Sequence, residues 1–108
     1  MTLSKLGTAY GTCFIFHTIR ASVNQLIKAL GNPHYTGTED EKTQYEWDFR
    51  ITKENSVFTI YDWKEYREYS RDEIIEWHIG GFPSKCNLGH TDMKKVKEEL
   101  GKLGLVVN

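Results

Sequence analysis

The segment Tyr45-Glu46-Trp47-Asp48-Phe49-Arg50-Ile51, followed across Lys53-Glu54-Asn55 by Val57-Phe58-Thr59-Ile60-Tyr61-Asp62-Trp63, decides the fold. In its first half, Tyr45, Trp47, Phe49 and Ile51 alternate with Glu46, Asp48 and Arg50. Successive side chains of a strand point to opposite faces, so this period of two predicts a strand with one covered face and one wet face. The second half is rich in β-branched and aromatic residues, which pack well on a pleated surface, and Lys53-Glu54-Asn55 reads as the turn between the two. The pair is expected to form an antiparallel hairpin.

Toward the N-terminus, Ser22 is followed three residues on by Gln25, the spacing of a capping box, in which a hydroxyl and an amide satisfy two orphan N–H groups reciprocally. Val23, Leu26, Ile27 and Leu30 then make one apolar helical stripe, Gly31 offers a positive-φ stop, and Pro33 prevents resumption. Upstream, Thr12 to His17 reads as a buried first strand, while the polar stretch Pro33 to Lys42 reads as a surface loop.

Toward the C-terminus, the charged stretch from Lys64 to Asp72 contains Tyr66 and Tyr69. Ile74 to Ile79 predicts a further strand, which Gly80-Gly81 and Pro83 are expected to terminate. A second helix is expected from Thr91 or Asp92, with Met93, Val96, Leu100 and Leu103 inward and Gly104 as its stop. Leu105-Val106-Val107 reads as a short edge strand. The order β-α-β-β-β-α predicts a single α+β domain over residues 1–108: a mostly antiparallel sheet of about four strands with two helices packed on one face.

Three Trp, six Tyr and five Phe give this short chain enough apolar surface for a modest core. The formal charge of −1 argues against general nucleic-acid binding, which grows with clustered positive charge. Cys13 and Cys86 are the only cysteines, the stretch Met1 to Gly7 is short and mixed rather than an apolar h-region, and the longest apolar run, Cys13 to Phe16, is far too short to span a bilayer. A cytoplasmic protein with free thiols is expected.

Catalytic and metal patterns are incomplete. His78, Cys86 and His90 lie close in sequence, but a structural zinc site normally needs four ligands, and the only other thiol is Cys13. There is no nucleophile elbow, P-loop or dinucleotide fingerprint, and only His34 has the His-x-Thr spacing that two-histidine phosphoesterases use in pairs. No cofactor is implied. The inventory describes a binding module rather than an enzyme.

Trp63, Lys64, Tyr66 and Arg67 interleave aromatic and basic residues. Aromatic faces stack on bases for about 1–3 kcal/mol each, while cationic heads neutralise phosphate. The same stretch carries Glu65 and Glu68, so it also reads as a solvated connection whose charges cancel. His78, Gly80 and Gly81 are candidates for polar closure of a pocket, since glycine lets backbone N–H groups approach a phosphate. Each has a plainer reading as well, His78 as a hydrogen-bonded structural residue and the glycines as a turn.

The strands Val57-Phe58-Thr59-Ile60-Tyr61-Asp62-Trp63-Lys64 and Trp77-His78-Ile79-Gly80, with a short helix ending in Gly31-Asn32-Pro33, resemble a family of small tailed-phage proteins over roughly residues 12–81. That resemblance implies an early phage protein acting against host defence, of the kind that sequesters a cyclic nucleotide immune signal without cleaving it. Trp63 and Tyr66 would then stack on bases, Lys64 and Arg67 would meet phosphate, and a homo-oligomer would be a natural way to build the pocket. Two alternatives stay open: a protein-binding inhibitor of a host defence or transcription factor, and a small cyclic-nucleotide phosphodiesterase.

Overall fold

A computed structural model describes residues 3–5, 13–36, 45–51, 56–62, 69–82 and 91–108. Its elements are β1 (Leu3–Lys5), β2 (Cys13–Ala21), α1 (Val23–Leu30), β3 (Tyr35–Thr36), β4 (Tyr45–Ile51), β5 (Ser56–Tyr61), β6 (Ile75–Gly81) and α2 (Met93–Lys102). The long elements follow the expected order β-α-β-β-β-α. The sheet runs β1-β4-β5-β6-β2 with β3 on β4, and every pairing is antiparallel.

The hairpin forms as its alternation predicts. Trp47 faces Ile60 and Phe49 faces Phe58 across the β4–β5 ladder. These four side chains join Ile79, Trp77 and Ile19 in one apolar layer, and both helices cover it, α1 through Val23, Leu26 and Leu30 and α2 through Val96 and Leu100. Burying a large apolar side chain stabilises by about 1.5–3 kcal/mol, so this layer is the main source of stability. Trp47 and Trp77 are fully buried at its centre, edge to face at 5.6 Å. Burial would strand their indole N–H groups, but Trp47 Nε1 donates to the Gly31 carbonyl at 3.0 Å and Trp77 Nε1 to the Ala21 carbonyl at 2.9 Å. The first bond ties the C-terminal end of α1 to β4, and the second holds the chain where β2 gives way to α1.

The capping box is present in full. The Gln25 N–H donates to Ser22 Oγ at 3.1 Å, and the Ser22 N–H donates to Gln25 Oε1 at 2.8 Å. Gly31 closes the helix at φ 89°, a conformation that disfavours any side chain. At the other end of the fold, Asp92 caps α2 by accepting from the Lys94 N–H, and its own N–H donates to Ser56 Oγ at 2.8 Å, which moors α2 to β5.

Several expectations need correction. The strand expected over Thr12 to His17, β2, is longer, and its N-terminal half is only partly buried, Ile19 and Ala21 reaching the core. It runs to Ala21 at the sheet edge, interrupted by a bulge between Phe14 and His17, and Phe16 stands 85% exposed. The supposed wet face of β4 is dry at its middle, because Asp48 is 1% exposed and its cross-strand partner Thr59 is 2% exposed. Gly80 and Gly81 do not follow the last long strand but are its final two residues, paired with Thr59 and Phe58 on one side and with Phe14 and Cys13 on the other. Leu103 is 41% exposed, and Leu105 takes its place in the core after the chain turns at Gly104, φ 84°. Within the expected surface loop, Tyr35 and Thr36 pair with β4. The turn at Lys53-Glu54-Asn55 lies outside the described residues.

The C-terminal tail adds to the sheet edge much as expected. Val107 bridges Ile19, and Asn108 exchanges both backbone hydrogen bonds with Thr18. No helix among the described residues is long and apolar enough to cross a membrane.

Candidate functional site

On the sheet face turned away from the helices, alternation places Tyr61 of β5, His78 of β6 and Phe14 of β2 in a row across three strands. Tyr61 pairs with His78, and Phe14 pairs with Gly80 two residues further along β6. The side chains meet. The Phe14 and His78 rings stack at 4.3 Å with an interplanar angle of 25°, and Tyr61 meets the imidazole edge-on at 5.7 Å and 75°. Phe16, on the bulge, leans on Phe14 at 5.4 Å.

Half-burial under this cluster lowers the His78 pKa, and the neighbouring Glu76 carboxylate opposes that shift only in part. At neutral pH the imidazole is therefore uncharged, a flat ring with one N–H donor and one N acceptor rather than a cation. The cluster can accept a planar guest by stacking and offer it a polar edge. It does not itself supply positive charge for a phosphate. The described cations of this face, Arg20 opposite Glu76 on the edge strand β2 and Arg50 opposite Val57 on β4, are exposed and lie on strands other than those of Tyr61 and His78.

Of the residues expected to form the site, Trp63, Lys64, Tyr66 and Arg67 lie outside the described residues, as do Cys86 and His90. His78 lies on the sheet face turned away from the helices, between Phe14 and Tyr61. Gly80 shares that face by alternation, whereas Gly81 is turned toward the helix side. Both are buried within a three-strand ladder, and a Cβ built on Gly81 would lie 2.6 Å from Thr91 Oγ1 and 3.0 Å from Ile15 Cδ1. Gly81 is glycine because Thr91 needs the space: its hydroxyl accepts from the Phe82 N–H at 2.8 Å and donates to the Val57 carbonyl. That explanation requires no ligand.

The chain flanking 63–68 is firmly held. Asp62 is fully buried, accepting from the Tyr45 N–H at 2.9 Å and from the Tyr69 hydroxyl at 2.5 Å. Tyr69, expected in a solvated stretch, instead packs at the margin of the core. Phe14 and Phe16 were not among the expected site residues. Within Phe14-Ile15-Phe16 only the folded chain separates the three: Ile15 packs against the core, while Phe16 stands exposed on the bulge.

Among the described residues no cluster of His, Cys, Asp and Glu has the makings of a metal site. Comparison of the chain with protein-family models, with characterised proteins and with solved structures finds no match.

Proposed function

We propose that this protein binds a cyclic nucleotide-type signal and lowers its free concentration without cleaving it, as a phage protein directed against host defence would. The observation that carries the reading is the stacked Phe14–His78 pair with Tyr61 at its edge, a flat and uncharged platform on the sheet face the helices leave alone. Two residues beyond Tyr61 the chain enters Trp63-Lys64-Glu65-Tyr66-Arg67, which carries further rings and the cations that a phosphate needs. In this reading Trp63 and Tyr66 stack on bases, Lys64 and Arg67 meet phosphate, and His78 provides both a stacking surface and a hydrogen bond. The resemblance to small tailed-phage proteins supports the same conclusion. Gly81 has a sufficient explanation in its packing against Thr91 and leaves the proposed contact set, whereas Gly80, opposite Phe14, stays in it.

The test is capture and release. Purified protein is incubated with cyclic mono- and dinucleotides, freed of unbound ligand and heat-denatured, and the supernatant is analysed. Intact nucleotide is the expected result. A hydrolysed product would point to a phosphodiesterase, and an empty supernatant would favour an inhibitor that binds another protein. Trp63→Ala is expected to weaken capture by about 5- to 150-fold, the range for losing one base–aromatic stack. Capture undiminished by that substitution would remove Trp63 from the site.

A further inference from the structure

Phe16 violates two local rules at once. Its φ of 67° lies in the left-handed region, which L side chains other than Asn and Asp rarely enter, and its ring is 85% exposed. It sits in the bulge between Phe14 and His17, and the left-handed position of such a bulge is one that glycine ordinarily fills. If the bulge served only to bend an edge strand, glycine would do so without strain and without placing a phenyl ring in water. Backbone strain that persists on a bulky side chain is a mark of function.

We propose that Phe16 is a stacking residue for the nucleobase of the ligand, held out from the sheet by the bulge so that one face of its ring is open. This rests on the nucleotide-binding reading above and adds to it a contact that neither the motifs nor the spacing singled out. The Phe14–Phe16 centroid distance of 5.4 Å and tilt of 55° leave no room for a ring between them, so the base lies on the outer face of Phe16. The remaining exposed apolar side chains among the described residues are dispersed. Ile74 precedes β6, at the opposite end of that strand from Gly80, Leu103 caps α2, and Val106 lies in the tail beside β2, next to the Val107–Ile19 bridge. A protein partner needs roughly 800 Å² of contiguous contact on each side, whereas a base needs one ring face.

The experiment measures the affinity of wild type, Phe16→Ala, Phe16→Trp and Phe16→Gly for cyclic AMP, cyclic GMP, cyclic di-AMP and cyclic di-GMP, with thermal melts and sedimentation of each protein. Phe16→Ala is expected to weaken binding by about 5- to 150-fold. Phe16→Trp is expected to retain it, and Phe16→Gly to lose binding while melting at or above the wild-type temperature. Wild-type affinity in Phe16→Ala would overturn this assignment and leave the proposed function standing. A Phe16→Gly protein that melts well below wild type would overturn it too, by showing the ring to be structural packing. If wild type self-associates and Phe16→Ala abolishes this, the ring's occupant is a second copy and the assignment falls. A wild-type protein that binds none of the four nucleotides would refute function and assignment together.

Discussion

Substituting Gly81 by alanine tests how the end of β6 is packed. The new methyl group would lie 2.6 Å from Thr91 Oγ1, 2.9 Å from Thr91 Cγ2 and 3.0 Å from Ile15 Cδ1, all well inside contact distance. Thr91 cannot give way cheaply, because its hydroxyl bridges the Phe82 N–H and the Val57 carbonyl. Losing the two hydrogen bonds costs about 0.5–1.5 kcal/mol each, and overpacking adds about 1–3 kcal/mol, for a total of roughly 2–6 kcal/mol. Thr91→Ala alone leaves the same backbone groups unpaired and costs about 1–3 kcal/mol. In the double variant the alanine methyl group occupies space that the threonine has vacated, so the second substitution adds little. The double-mutant cycle should then show a coupling of about 2 kcal/mol, read from urea unfolding of the four proteins. Additivity within about 0.5 kcal/mol, or a Gly81→Ala protein as stable as wild type, would refute the packing argument. A glycine kept for ligand approach would behave differently, losing nucleotide capture while stability stayed unchanged.

Removing the α1 cap by Ser22→Ala should cost about 1 kcal/mol in urea unfolding, because the Gln25 N–H loses its acceptor; no change would mean that water replaces the hydroxyl without loss. Tyr69→Phe should cost about 1–3 kcal/mol by taking a donor from the buried Asp62 carboxylate, and a stability equal to wild type would show that bond to be incidental. Since burial lowers the His78 pKa in the folded protein, the unfolded chain takes up that proton more readily. The stability held by neutral His78 is thus fully present above about pH 6.5 and is lost as pH falls through the lowered folded value. The urea midpoint should fall on acidification through this window and fall less steeply in His78→Gln; parallel profiles would exclude His78 as the source.

Local signals carried most of the fold. The alternation from Tyr45 to Ile51 and the box at Ser22 and Gln25 are short-range features, and each produced the element it predicted. What sequence could not supply was non-local. Nothing within β2 indicates that it pairs with β6 across more than fifty intervening residues, so its length and edge position were missed. For the same reason the glycines of β6 looked like a terminator. Glycine marks both the end of a strand and a close approach within one, and only the position of Thr91 tells these apart. The dry setting of Asp48 shows that alternation predicts which way a side chain points, but not whether water meets it. At the site, His78 was legible from its strand. Phe14 and Phe16 were hidden within an apolar run that looked like core, because a bulge leaves no mark in composition.

The hydrogen bond from Tyr69 to Asp62 reaches beyond stability. It joins the two residues that bracket positions 63–68, and both anchors belong to the buried framework rather than to the span between them. The chain on either side of those six positions is therefore held at fixed points, Asp62 just past β5 and Tyr69 at the margin of the core. Such an arrangement gives natural selection a place to exchange ring for ring or charge for charge, and so to retune what is recognised, without renegotiating the fold each time.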